Sequence, residues 1–278
     1  MPDSLHPTTP AAPTTRKHAA GAPPRFVRPS LLHFTAWFGL VAFFVWSLDG
    51  AHISPLALWR GLPDMATFAA QMFPPDLSRI GPVLLSLLET FQMALVGTVF
   101  GVLLSVPLAV LATRQHAPNR AVYHAARGLV SFFRTVPDLI WALFFVVTVG
   151  LGPFAGTLAL MIDTMGFCGR FFAEAMEEAD DGPQEALTAM GAAHSGIVFS
   201  AVLPSALPSM INTSLFSLEK ATRSSVVLGL VGAGGIGLEL KVAIDLFDYA
   251  QAATIMLCIF ALVVLVERFS TALRQRVM

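Results

Sequence analysis

The sequence predicts an all-α polytopic membrane protein with six transmembrane helices, one near the N-terminus and five forming a core, and with both termini cytoplasmic. Three observations carry this. Of 278 residues, 55% are hydrophobic and only 13% charged, with a mean hydropathy of +0.69, against a charged fraction of about 25% in soluble domains. The apolar residues gather into runs long enough to cross a bilayer. Arginine collects in alternate connecting segments, as the positive-inside rule requires of cytoplasmic loops. The net charge of −1 excludes a nucleic-acid binder, which needs a clustered basic face. Cys168 and Cys258 sit in apolar stretches and read as small packing residues, neither a disulfide nor a metal site.

Residues 1–30 are rich in Pro, Ala and Thr, with Arg16, Lys17, Arg25 and Arg28 among them. Without an apolar period they read as a disordered, basic cytoplasmic tail. The run at 31–48 is long enough to span and has no small-residue cleavage site after it, so it is an uncleaved first helix. Residues 55–72, with Trp59, Met65 and Phe68 among polar residues, fit an interfacial amphipathic helix. The span at 81–113 exceeds what a bilayer requires and is tilted, broken near Pro107, or projecting. Arg114, His116, Arg120 and Arg127 then mark an inside loop. Further spans fall at 129–151, interrupted around Arg134 to Asp138, and at 153–172, 197–218 and 248–266. Arg268, Arg274 and Arg276 close the chain on the inside. Counting from an inside N-terminus places all three basic clusters on one side.

The longest charge-bearing interruption lies at 171–208. Asp181-Gly182-Pro183 is a helix start, with a capping acid and Pro in the first turn, and 181–196 reads as a short cytoplasmic helix suited to dock on a partner. Between the fifth and sixth spans, Gly232, Gly234 and Gly237 make a G-x-G-x-x-G match. The dinucleotide reading of that pattern needs a βαβ unit, and membrane spans flank it here. It is instead an irregular, tightly packed break, with two roles open to it: close helix packing, or lining a passage, where non-helical backbone is tolerated at membrane depth.

Glu185-Ala186, Gly191 and Leu203-Pro204 fall at the spacing of the "EAA" loop of binding-protein-dependent ABC importer permeases, with Leu187 and Ala201 departing from the usual Ala and Ile. Together with RTVPDLIWALFFV, GLGPFAGTLAL and VVLGLVGAGGIGLELKVAIDLFDYAQAA, the chain from about residue 81 onward resembles the phosphonate-type branch of these permeases. The resemblance implies a membrane subunit in a homodimer, with a periplasmic protein delivering phosphonate, phosphite or phosphate. It also implies a cytoplasmic ATPase, carrying ATP and Mg, that docks on the 181–196 helix. Glu185 would anchor that helix, Gly191 would permit the turn after it, and Leu203-Pro204 would kink the fifth span. The chain itself has no G-x4-G-K-[ST] motif, no catalytic constellation and no metal-ligand cluster.

Ionisable residues within spans are functional candidates by default. Arg134 and Asp138 either pair with each other or line the passage. Lys220 and Arg223, beside Glu219 and just past the fifth span, either attract an anion or form a solvated interfacial group. Gly232, Gly234, Gly235 and Gly237 complete the candidates for the path or gate. Asp163 faces the interior, partnered by Arg170 or by another span, and His194 is an exposed polar residue. A permease for another solute, such as an amino acid, and an ATP-independent channel or membrane enzyme are the rival readings.

Overall fold

The computed structural model describes residues 31–277, so the expected tail at 1–30 lies outside the described residues. These residues are helical, with no strand among them: α1 (Leu31–Gly50), α2 (Pro55–Gln71), α3 (Ile80–Ala112), α4 (Arg120–Thr135), α5 (Asp138–Val149), α6 (Pro153–Glu177), α7 (Asp181–Ala189), α8 (His194–Ile197), α9 (Leu203–Gly229), α10 (Ile236–Asp245) and α11 (Tyr249–Val277). Two compact units divide the chain, Met1–Leu62 and Pro63–Met278. In the first, α1 is apolar on all sides and exposes Phe34, Trp37, Phe38 and Trp46, the pattern of a helix surrounded by lipid.

The second unit is built around α6. This helix packs against α3, α9, α5 and α4. It buries Ala155, Ala159, Leu160, Cys168, Phe172 and Met176. Its approach to α3 rests on Gly97 and Gly101, one turn apart. A Cβ at Gly97 would stand 2.9 Å from the Cβ of Leu160, and one at Gly101 would stand 2.5 Å from the Cβ of Thr164. Small residues at this spacing let membrane helices close to backbone distance, where dispersion and packing hold them.

By length and composition, four helices can cross a membrane, or five if a bent pair counts as one. Of the six expected spans, five at most meet that measure. The run at 129–151 is not one helix: α4 and α5 are bent by 89°. Pro137 has no N–H to continue the ladder and pushes Val136 to an extended ψ of 119°. The span at 153–172 falls short of that measure because Gly, Thr, Asp163 and Arg170 dilute its apolar residues, which a helix packed against α3, α4, α5 and α9 tolerates. The span at 81–113 is one unbroken helix through Pro107. The fifth span runs far beyond 197–218, as a continuous rod His194–Gly229 of 36 residues. Its early part includes a π-helical turn, Val198–Val202, in which Leu203 N–H reaches back to the carbonyl of Val198. Pro204 follows at once, and the widened turn accommodates its missing N–H. Glu219, Lys220 and Arg223 consequently lie inside α9, not past its end as the sequence suggests.

Candidate functional site

Two ends of the bundle and one face of α9 carry the candidate residues. At the first end, α6 closes on Glu177, which holds three elements together. Arg127 Nη2 donates to both its carboxylate oxygens at 2.8 Å, Arg114 N–H donates to it at 3.0 Å, and Arg127 Nε donates to the carbonyl of Ala112 at 2.9 Å. Arg127 thus belongs to a bidentate brace and is more than the loop charge its sequence position suggests. Beyond Glu177 the chain leaves the bundle and forms α7. Asp180, one residue earlier than the expected Asp181, is the cap, and its Oδ1 accepts from Gly182 N–H at 3.0 Å. The helix ends at Ala189, earlier than the expected 181–196, because the backbone then turns left-handed. Gly191 has φ +78°, its N–H bonds Thr188 O at 3.0 Å, and Ala192 N–H bonds Leu187 O at 3.0 Å. This is the Schellman arrangement, with glycine at its left-handed position. Glu185 and Ala186 are exposed on α7, and Glu185 has no ion pair among the described residues. Met190, 75% exposed, presents a large apolar side chain beside them.

A cavity of about 520 Å³ lies alongside α7, lined by Glu185, Thr188, Asp181, His194 and His116 among others. His194 is exposed, as expected, but it is not idle: its Nε2–H donates to the carbonyl of His116 at 3.1 Å, and the two rings are 5.5 Å apart. His116 is 6% exposed with neither ring nitrogen bonded. Burial pushes its pKa below the ordinary histidine value, and the neighbouring His194 adds to that.

At the opposite end, α9 stops at Gly229 and the chain turns through Gly232 (φ +91°), Gly234 (φ +83°) and Gly235 (φ +73°) into α10. The turn is anchored from α3. Glu89 Oε1 accepts from Gly235 N–H at 3.0 Å, and Thr90 Oγ1 accepts from Ile236 N–H at 2.7 Å. From the α5–α6 connection, Gly152 N–H donates to Gly232 O at 3.0 Å. Gly237 is the second residue of α10 and lies against Gly229. A Cβ on Gly237 would meet the carbonyl oxygen of Val226 at 2.0 Å. The expected irregular, tightly packed break is therefore present. The caps from Glu89 and Thr90 went unread in the sequence, where the two residues register only as polar exceptions in an apolar run.

Along α9, Ser209, Asn212, Thr213, Lys220, Arg223 and Ser224 are exposed or half-exposed at helical spacing. Lys220 Nζ lies 2.8 Å from both carboxylate oxygens of Asp163, so the partner of Asp163 comes from another helix. Arg170 pairs with Glu174 instead. Glu219 turns inward and pairs with Arg274 of α11. Arg134 and Asp138 do not pair: Arg134 is exposed at the end of α4, and Asp138 Oδ1 accepts from Leu139 N–H at 2.9 Å at the start of α5. Residue spacing placed them one turn apart, but the bend at Pro137 separates their helices. Arg223 is exposed and has no ion pair among the described residues.

Such an architecture, an all-helical bundle of long apolar helices with a short exposed one looped out between two of them, is that of a multi-pass membrane protein. Residues 101–278 match the family described as the binding-protein-dependent transport system inner membrane component, and the chain belongs to that family. It is 39% identical over 238 residues to the phosphite transport system permease protein PtxC of Stutzerimonas stutzeri, covering 86% of each chain. It is 37% identical to the phosphate-import permease protein PhnE of Mycolicibacterium smegmatis, covering 87% of this chain and 46% of that one. Among solved structures, a chain of the MetNI methionine ABC transporter in an inward-facing conformation superposes with a TM-score of 0.64 at 27% identity, covering 72% of this chain and 99% of that one.

Proposed function

We propose that this chain is the permease subunit of an ATP-driven importer that carries phosphonate, phosphite or phosphate across the bacterial inner membrane. One observation carries the reading: similarity to the phosphite permease at 39% identity extends over 86% of both chains. Similarity to a probable D-methionine permease of Vibrio cholerae is 28% over 200 residues, which favours the phosphorus oxyanions over an amino acid. In this reading two copies assemble, a periplasmic binding protein delivers the substrate, and a cytoplasmic ATPase with its ATP and Mg docks on α7.

Support for the docking role of α7 is its exposure, the unpaired Glu185 and the protruding Met190. Glu185 and Ala186 would contact the ATPase, and Gly191 would hold the turn. Leu203 and Pro204, next to the π-helical turn, would carry the displacement into α9. Gly232, Gly234, Gly235 and Gly237 would form a gate, while Lys220 and Arg223 would line the path. Arg134 and Asp138 would border it at the bend between α4 and α5. The six-span arrangement with both termini cytoplasmic would count α1, α3, the bent α4–α5 pair, α6, α9 and α11.

The test is reconstitution of the chain with its ATPase in proteoliposomes, with the binding protein outside. Expected is ATP-dependent uptake of phosphite, phosphonate or phosphate, unaffected by excess methionine. Uptake of methionine alone would overturn the reading.

A further inference from the structure

The outward faces of the helices in the second unit are not alike. On α3 the exposed residues include Leu84, Leu88, Leu95, Val99 and Leu103, and on α11 they include Leu257, Phe260 and Leu265, all suited to lipid. On α9 the exposed stripe carries Phe216 and Val227 but also Ser209, Asn212, Thr213 and the cations Lys220 and Arg223. Charges at membrane depth face a protein interior or water because hydrocarbon cannot solvate them. The α9 stripe is therefore the wetted face.

Among the described residues only Asp163 forms an ion pair with that stripe's Lys220. The Lys220 side chain is 35% exposed, whereas Asp163 beneath it is 13% exposed. The ammonium also lies 5.3 Å from the centroid of the Phe167 ring, an additional attraction for a cation. Asp163 sits near the middle of α6 on a short side chain, so its carboxylate has little reach. Lys220 is the mobile member, on a flexible four-carbon stem, with its outer side open to whatever occupies the polar face.

We infer that Lys220 is the transient oxyanion contact of the passage, and that Asp163 is a built-in competitor that keeps this contact weak. The inference rests on the reading of the chain as a phosphorus-oxyanion importer. Without that carboxylate the half-buried lysine would hold a phosphorus oxyanion more tightly and release it more slowly. Conduction needs binding strong enough to admit the anion and weak enough to release it. With Asp163 held at 2.8 Å, the arriving anion must share or displace an existing partner. When it leaves, the carboxylate takes the ammonium back and pays most of the desolvation that an unpaired lysine would suffer.

The experiment uses the whole transporter in proteoliposomes, with [32P]phosphate as the probe for equilibrium binding and for ATP-driven uptake. Asp163→Asn should bind phosphate more tightly than wild type by about tenfold or more, yet transport it more slowly. The double variant Asp163→Asn with Lys220→Gln leaves no buried unpaired charge, so it should still co-purify with the ATPase while uptake falls by about tenfold or more. Wild-type uptake by the double variant overturns the inference, and so does an Asp163→Asn transporter that binds phosphate no more tightly. Wild-type transporter that moves no phosphorus oxyanion at all overturns the functional reading, and the inference with it.

Discussion

At the scale of single residues, Gly191 and His116 govern the loop end of the bundle for different physical reasons. Nothing lies within 4 Å of where a Cβ on Gly191 would stand, so the cost of substitution is conformational: about 1–2 kcal/mol for an ordinary L-residue held left-handed. Gly191→Ala and Gly191→Asp should therefore both insert stably but lower uptake, with Asn, which tolerates that region better, the mildest replacement. Uptake by the three variants, normalised to membrane content, gives the order; equal uptake by all three would remove the turn from the mechanism. His116 is instead a matter of protons. Its folded pKa is depressed below the ordinary 6.5, so the folded state binds fewer protons than the unfolded chain. The stability this contributes is present above that ordinary value and is lost as pH falls from it toward the lowered one. His116→Gln should flatten the dependence of thermal unfolding on pH between about 7.5 and about 5.5, the window around an ordinary histidine. An unchanged slope would mean that another group is responsible.

At the scale of elements, the glycine turn shows how close approach and handedness act separately. Gly232, Gly234 and Gly235 need positive φ, whereas Gly237 is helical and needs emptiness. A helical φ does not make alanine harmless at Gly237, because a Cβ there would meet the Val226 carbonyl at 2.0 Å. Gly237→Ala should lower the melting temperature of the purified protein at least as much as Gly232→Ala, whose Cβ meets only the tip of Leu151. At the start of α10, Thr90→Val removes the acceptor for the buried Ile236 N–H at a cost of about 1–3 kcal/mol, and Thr90→Ser should recover it. Differential scanning of the variants in detergent checks both; a Thr90→Val protein as stable as wild type would show that α10 needs no cap from α3. The glycine cluster and the capped loop helix were legible in the sequence because caps, turns and breaks are written locally. The brace of Glu177 with Arg127 and the Asp163–Lys220 pair were not, since their partners stand 50 and 57 residues apart. Only the packing of α6 against its neighbours brings them together. The ends of α9 were misplaced for a related reason: Glu219 and Lys220 look like a helix boundary until Arg274 and Asp163 neutralise them.

At the scale of the whole molecule, the apolar runs fixed the class of protein but not the number of crossings. Hydropathy finds helices that are apolar throughout, and the central α6 carries Asp163 and Arg170 within its length. Sidedness is the matching prediction. Reporter fusions after Thr113, Gln184 and Arg276 should give cytoplasmic signals, and fusions near Arg60 and Gly152 periplasmic ones. A periplasmic signal at Gln184 would remove both the six-span arrangement and the docking role of α7. The unbroken rod His194–Gly229 has a mechanical consequence. Its 36 residues make a beam about 54 Å long at about 1.5 Å per residue. It is fastened to α6 at several levels: Val202, Ala206 and Met210 share a core with Phe172 and Met176, Ser217 meets Thr164 at 3.4 Å between hydroxyls, and Lys220 is tied to Asp163. A stiff beam held to its neighbour at so many points has no free pivot. The two helices would travel as one piece, and a displacement entering beside α7 would reach the glycine end undiminished and in the same sense.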